Sequence, residues 1–229
     1  MYWFWDPTMI LLIPAIGLAI YAQSKVRRAY AKYSKVRSRR GLTGAQVARG
    51  ILDQNGMHDV PIEVTPGTLT DHYDPKKRVM RLSQEVYGSP SLAALGIAAH
   101  ETGHAMQHST GYYPLALRNG FVPVASFGSK AAFPLFFIGF LFHSSGAAWL
   151  MDVGVILFAA AVAFHLVTLP VELNASRRAI RLLASEGYLT DDEVGPARSV
   201  LNAAAWTYVA AATMAIMQLI RMLMLRGRR

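Results

Sequence analysis

Cysteine is absent from the 229 residues, which excludes a disulfide framework, a thiolate metal site and a thiol nucleophile together. Charge is the next scarcity. Only 16% of the residues are Asp, Glu, Lys or Arg, where a soluble domain carries nearer a quarter. Acids are the scarcer sign, at 14 against 23 Lys and Arg. No internal repeat, linker or low-complexity segment stands out. What fills the chain instead is apolar: 53% hydrophobic residues and a mean hydropathy of +0.26, which argues against both disorder and an ordinary cytosolic enzyme. The length suits one domain, residues 1–229, or a compact membrane protein. A net charge of +9 suits nucleic acid or topogenic charge beside a bilayer. In so apolar a chain, without a nucleic-acid motif, the bilayer is the expected partner and nucleic acid is not.

Four apolar runs are long enough to cross a hydrocarbon core, at about residues 3–22, 122–142, 147–169 and 201–220. Trp3, Phe4 and Trp5 at one end of the first run and Tyr21 at the other look like interfacial belts. No basic residue precedes that run, so a retained span is expected rather than a cleaved signal. Lys130 interrupts the second run and either snorkels or faces inward. His143, Ser144, Ser145 and Gly146 make a turn before the third. The fourth carries small residues, among them Ala203, Ala210 and Ala212, suited to close helix packing.

Loop charge sets the orientation. Eight basic residues between Lys25 and Arg40, with no acid among them, place that stretch in the cytoplasm and the N-terminus outside. A lipid or nucleic-acid contact is a second reading of the stretch, but a stop-transfer signal accounts for it without further assumption. Four spans leave Arg221, Arg226, Arg228 and Arg229 on the far side. Either the last run does not fully cross, or the charge rule is outvoted there.

Between the first two runs the pattern changes. Residues 43–55 read as a short amphipathic helix capped by Thr43, and 60–64 as a strand ended by the Pro66-Gly67 turn. Asp74-Pro75 is another turn, and 78–82 alternates polar and apolar as a half-buried strand. A long helix follows from about Ser91. The fold class expected is therefore a mainly α integral membrane protein with a small α+β lobe, at about residues 41–120 and completed by a helix over 172–186.

That long helix contains His100-Glu101-Thr102-Gly103-His104. Helical residues four apart differ by about 40° and about 6 Å of rise, so the two imidazoles share a face and can bind one Zn²⁺. Glu101 lies beside that face, where it can serve a metal-bound water as general base. Gly103 costs about 1 kcal/mol in a helix relative to Ala, and with Ala98, Ala99 and Ala105 it allows a second helix to come close. A third ligand is needed. His108 is eight residues from His100, a rise of about 12 Å, too far for the same ion. Among the acids after the motif, Glu172 follows Pro170 and starts a helical run on the same side of the bilayer as His100. It is the metal-ligand candidate, against the plainer role of an acid favouring a helix N-terminus.

Four stretches together resemble bacterial YugP-type neutral zinc membrane metallopeptidases: Phe4–Thr8, Leu69–Pro75, Ala98–Ala105 and Pro170–Ala179. The resemblance implies a zincin-like lobe, one Zn²⁺ per chain, peptidase activity on a peptide or membrane-protein substrate, and a place in the bacterial cytoplasmic (inner) membrane with the site on the cytoplasmic side. A looser similarity joins the chain to HtpX-type and CAAX prenyl endopeptidases. Glu172 fits their third ligand, but Ser176 stands where they carry an aspartate, leaving a hydroxyl in place of an outer carboxylate. The expected chemistry is hydrolysis with His100, His104 and Glu172 on zinc and Glu101 as base. The strand at Val79–Leu82 is expected to hold extended substrate by its edge. His72, Tyr73, Tyr112, Tyr113 and Arg177 are candidate oxyanion stabilisers. The alternative is a zinc-binding membrane scaffold without turnover, alone or in an oligomer.

Overall fold

The computed structural model describes residues 6–227, so the expected belt of Trp3, Phe4 and Trp5 lies outside the described residues. The elements run as a 3₁₀ turn Pro7–Leu11, then α1 (Leu12–Tyr33), α2 (Gly44–Gln54), β1 (Ile62–Thr65), β2 (His72–Asp74), β3 (Val79–Ser83), α3 (Gln84–Tyr87), α4 (Leu92–Ser109), α5 (Tyr113–Leu141), α6 (Trp149–Ser185) and α7 (Asp191–Gly227). They form two compact units. The first comprises the chain up to Ala22, Ala116–Pro170 and the chain from Thr207; the second is Gln23–Leu115 with Val171–Trp206.

Among the described residues, four helices are long and apolar enough to cross a membrane: Pro7–Tyr33, Tyr113–Leu141, Trp149–Ser185 and Asp191–Gly227. The protein is thus a mainly α membrane protein with a small α+β part, as its apolar runs indicate. Several boundaries differ from the sequence expectation: α1 runs past residue 22 to Tyr33, and α5 starts at Tyr113 rather than near 122. Pro170 does not separate a span from a second helix; α6 runs through it. The proline forfeits one backbone hydrogen bond, a loss that neighbouring helices in membrane proteins make up. The fourth helix also starts earlier, at Asp191, where three acids in its first turn suit the positive end of the helix dipole.

Within the first unit, glycines set the spacing of α5 and α6. A Cβ on Gly128 would lie 2.6 Å from the Leu157 carbonyl oxygen, and one on Gly154 2.7 Å from that of Ala132. Without a hydrophobic drive between helices in lipid, such backbone approach is a main source of association. Lys130 points outward and is exposed. The terminal arginines are met by acids. Arg221 Nη2 lies 3.2 Å from Asp6 Oδ2, and Arg226 Nε 2.7 Å from Asp152 Oδ1. The C-terminal end of α7 therefore sits with the chain start and the start of α6. Part of the charge at that end is thereby neutralised.

In the second unit α2 begins with a full capping box: the Thr43 side chain accepts from Gln46 N–H, and the Gln46 side chain accepts from Thr43 N–H. Its buried face (Val47, Ile51) joins Leu92 and Leu95 of α4 and Leu183 of α6 in one core. The sheet has the order β1-β3-β2, with β1 parallel and β2 antiparallel to β3. This corrects the expectation for Val79–Leu82: β3 is the central strand, paired on both sides, and has no free edge for substrate. The exposed edge beside α4 belongs to β2, a three-residue strand hidden in sequence by the turn residues around it.

Glycine spacing in the first unit yields a test. Gly154→Val should lower the melting temperature by about 3–10 °C in detergent, the consequence of an overpacking cost of about 1–3 kcal/mol. An unchanged melting curve would refute the tight α5–α6 approach.

Candidate metal centre

The site assembles from α4, β2 and the part of α6 after Pro170. His100 and His104 project from one face of α4 with ring centroids 4.8 Å apart, edge to face. Glu172 reaches them from α6. Its Oε2 lies 3.2 Å from His100 Nε2 and 3.4 Å from His104 Nε2. One donor atom from each of the three residues falls within 4.8 Å of the other two.

Gly103 makes this meeting possible. A Cβ there would sit 2.6 Å from the Ala175 carbonyl oxygen, so the two helices touch through their backbones one turn from Glu172. The glycine that weakens α4 as an isolated helix lets α6 deliver its carboxylate.

Both imidazoles are held from behind. His100 Nδ1 lies 3.1 Å from Ser176 Oγ. His104 Nδ1 lies 3.0 Å from Gln107 Oε1. The fully buried Gln107 amide donates to the Val171 carbonyl at 2.8 Å and to Asn174 Oδ1 at 3.0 Å, which fixes its Oε1 as an acceptor. Arg178 Nε donates to the same Asn174 oxygen at 2.8 Å. His104 Nδ1 must then carry a proton, and the neutral ring presents a bare lone pair at Nε2. Glu172 is only 3% exposed, and its carboxylate oxygen faces that lone pair. Such a pair is repulsive unless a proton or a cation lies between. Burial opposes a charged His104, yet the hydrogen bond to Glu172, with the charges of Glu101 and Glu172, holds its imidazole above the ordinary value.

A divalent ion satisfies the same demand. Bonds of about 2.0–2.1 Å in a tetrahedron separate the donors by about 3.3 Å, close to the 3.2 and 3.4 Å seen here. The residues therefore fit zinc. Three ligands would leave a fourth position open, as catalytic zinc sites do.

Glu101 stands next to this cluster, held by β2: its Oε2 accepts the Tyr73 backbone N–H at 3.0 Å. Its Oε1 has no hydrogen-bond partner among the described residues. The strand is pinned by Asp71, which accepts from Ser83 N–H at 2.8 Å and from Ser83 Oγ at 3.1 Å. Burial pushes the Asp71 carboxyl up, the Ser83 hydrogen bonds pull it back, and the Glu101 charge adds to the rise.

Residues 8–227 match the family described as "Putative neutral zinc metallopeptidase". The chain belongs to that family. It is also 50% identical over 222 residues to the "Putative membrane protease YugP" of Bacillus subtilis (strain 168), covering 96% of this chain and 97% of that protein. No solved structure matches the chain. In this metallopeptidase-family chain the residues singled out by sequence separate into two groups. His100, His104 and Glu172 converge, with Glu101 beside them. Ser176 takes the outer position behind His100. His108 stays out of the cluster, its Nδ1 2.9 Å from the Tyr73 hydroxyl. Among the oxyanion candidates, His72 is turned to the Thr70 carbonyl at 2.8 Å, Tyr112 lies under the Arg178 guanidinium, and Tyr113 and Arg177 are exposed. Only Tyr73 touches Glu101, through its backbone.

Gln107, Asn174 and Asp71 receive no role from the sequence, although Asp71 and Asn174 lie in the stretches that carry the family resemblance. Gln107 lies three residues after His104 on the same helical face. Gln107→Leu should weaken zinc affinity by about 10–100-fold, read by chelator competition, because His104 Nδ1–H loses its acceptor. Unaltered affinity would show that the outer hydrogen bonds do not tune the site.

Proposed function

We propose that the protein is a membrane zinc endopeptidase in which His100, His104 and Glu172 hold one Zn²⁺ and Glu101 is the general base. The observation that carries this reading is the buried Glu172 oxygen facing two histidine Nε2 atoms at 3.2 and 3.4 Å. Zinc at such a site supplies Lewis acidity towards water and a peptide carbonyl. Glu101, oriented by the Tyr73 N–H and with one oxygen free, takes the proton of the attacking water and returns it to the departing amine. Extended substrate pairs along β2, whose outer edge runs beside Glu101.

The membrane is the bacterial cytoplasmic membrane, and the site lies on its cytoplasmic side. The uninterrupted basic stretch from Lys25 to Arg40 supports that side. The pairing of Arg221 with Asp6 and of Arg226 with Asp152 supports it further, since it offsets two of the four basic charges of the tail on the other side.

Two variants test the assignment. Glu101→Gln should retain zinc and lose peptide cleavage by at least about a thousandfold, since both the base and the later acid are gone. Glu172→Ala should lose zinc itself, because two ligands and water do not make a stable site. Metal analysis and cleavage of membrane-protein and unfolded peptide substrates read both. A fully active Glu101→Gln protein, or full zinc affinity in Glu172→Ala, refutes the respective role. A zinc-loaded wild type inactive on every substrate would instead indicate a scaffold.

A further inference from the structure

A second feature of α6 and α7 lies on the far side of Ser176 from His100 and is lined by Ser176 itself. Between their segments in the second unit lies an open groove of about 710 Å³. The helices line it with the same i, i+4, i+7 spacing: Leu173, Arg177 and Ile180 from α6, and Val194, Arg198 and Leu201 from α7. Arg181 adds a third guanidinium, and no acid lines the groove. All three arginines are exposed, and none has a hydrogen bond, ion pair or ring contact among the described residues. The other arginine of this segment, Arg178, is engaged by Asn174.

We infer that this groove binds the headgroup of an anionic phospholipid. Three cations gathered without a counter-ion call for a multiply accepting anion, and the guanidinium fork suits phosphate oxygens. The apolar residues between the arginines call for a ligand that is not anionic throughout, so a phosphate with attached hydrocarbon fits better than an acidic peptide. The groove also falls at the right place along both chain segments. It begins three residues after Pro170, where the third apolar run has ended, and it stops one residue short of the partly exposed Trp206 in the fourth. Lys25 Nζ lies 5.1 Å over the Trp206 ring, a pairing suited to the headgroup level. Basic pockets between membrane helices are known headgroup sites.

The test uses the full chain in detergent with phosphatidylglycerol or phosphatidylcholine added, and native mass spectrometry to count retained lipid. The wild type should retain phosphatidylglycerol in preference to phosphatidylcholine. Each basic residue near a lipid surface is worth about a fivefold change in affinity, so the R177Q/R181Q/R198Q variant should bind phosphatidylglycerol about a hundredfold more weakly. The corresponding triple lysine variant should keep most of the binding, and K76Q/K77Q, in the turn between β2 and β3 and outside the groove, should match the wild type. Equal retention of phosphatidylglycerol by the triple glutamine variant, with an unchanged melting curve, overturns the inference. So does complete displacement by millimolar inorganic phosphate, which would make the site one for free phosphate. Tighter binding of a polyglutamate peptide than of phosphatidylglycerol overturns it as well. The assay reads lipid alone, so its outcome is independent of whether the protein cleaves peptides.

Discussion

Two imidazoles on one helix are half a metal site, and everything else about the centre depends on how closely a second helix can approach them. Here that approach is set by backbone contact: at Gly103 there is no room for a Cβ against the Ala175 carbonyl. The glycine costs α4 some intrinsic stability, about 1 kcal/mol against alanine. The core around Leu92, Leu95 and Leu183 offsets that cost, because burial rather than propensity holds such helices in place. The same contact that joins α4 to α6 brings Glu172, Ser176 and Asn174 to bear on His100, His104 and Gln107.

The hydrogen bonds behind the candidate ligands add a further constraint. A buried carboxylate next to two imidazole nitrogens needs a proton or a cation between them, whichever occupies the place. Ser176 and Gln107 restrain both rings, and Gln107 is itself fixed by Val171 and Asn174. A site with its donors held in this way loses little entropy when an ion arrives. The strand β2 does for Glu101 what these residues do for the histidines. It holds one carboxylate oxygen and leaves the other without a hydrogen bond among the described residues.

The membrane-spanning part follows other rules. Its helices are apolar on most faces, so burial of apolar surface decides little. Glycines at 128 and 154 and two ion pairs near the chain termini do the work instead. Those ion pairs also explain why counting basic residues alone leaves the C-terminal end of α7 ambiguous. Charge rules weigh loops one by one, whereas Arg221 and Arg226 find their acids 215 and 74 positions away.

Much was legible from local order. The apolar runs set the number of spans because a bilayer fixes the length of a crossing helix. The spacing of His100 and His104 put them on one face because the helical turn is a local rule. Thr43 announced α2, since capping is a contact between near neighbours. Pro170 misled, because a proline breaks helices in water and is tolerated among packed membrane helices. Glu172 could be nominated by elimination, but its meeting with two imidazoles, the Tyr73 N–H on Glu101, the central place of β3 and the gathering of Arg177, Arg181 and Arg198 are all long-range. Each brings together groups that no helical or strand period relates, and only the packing of α4, α6, α7 and the sheet decides them.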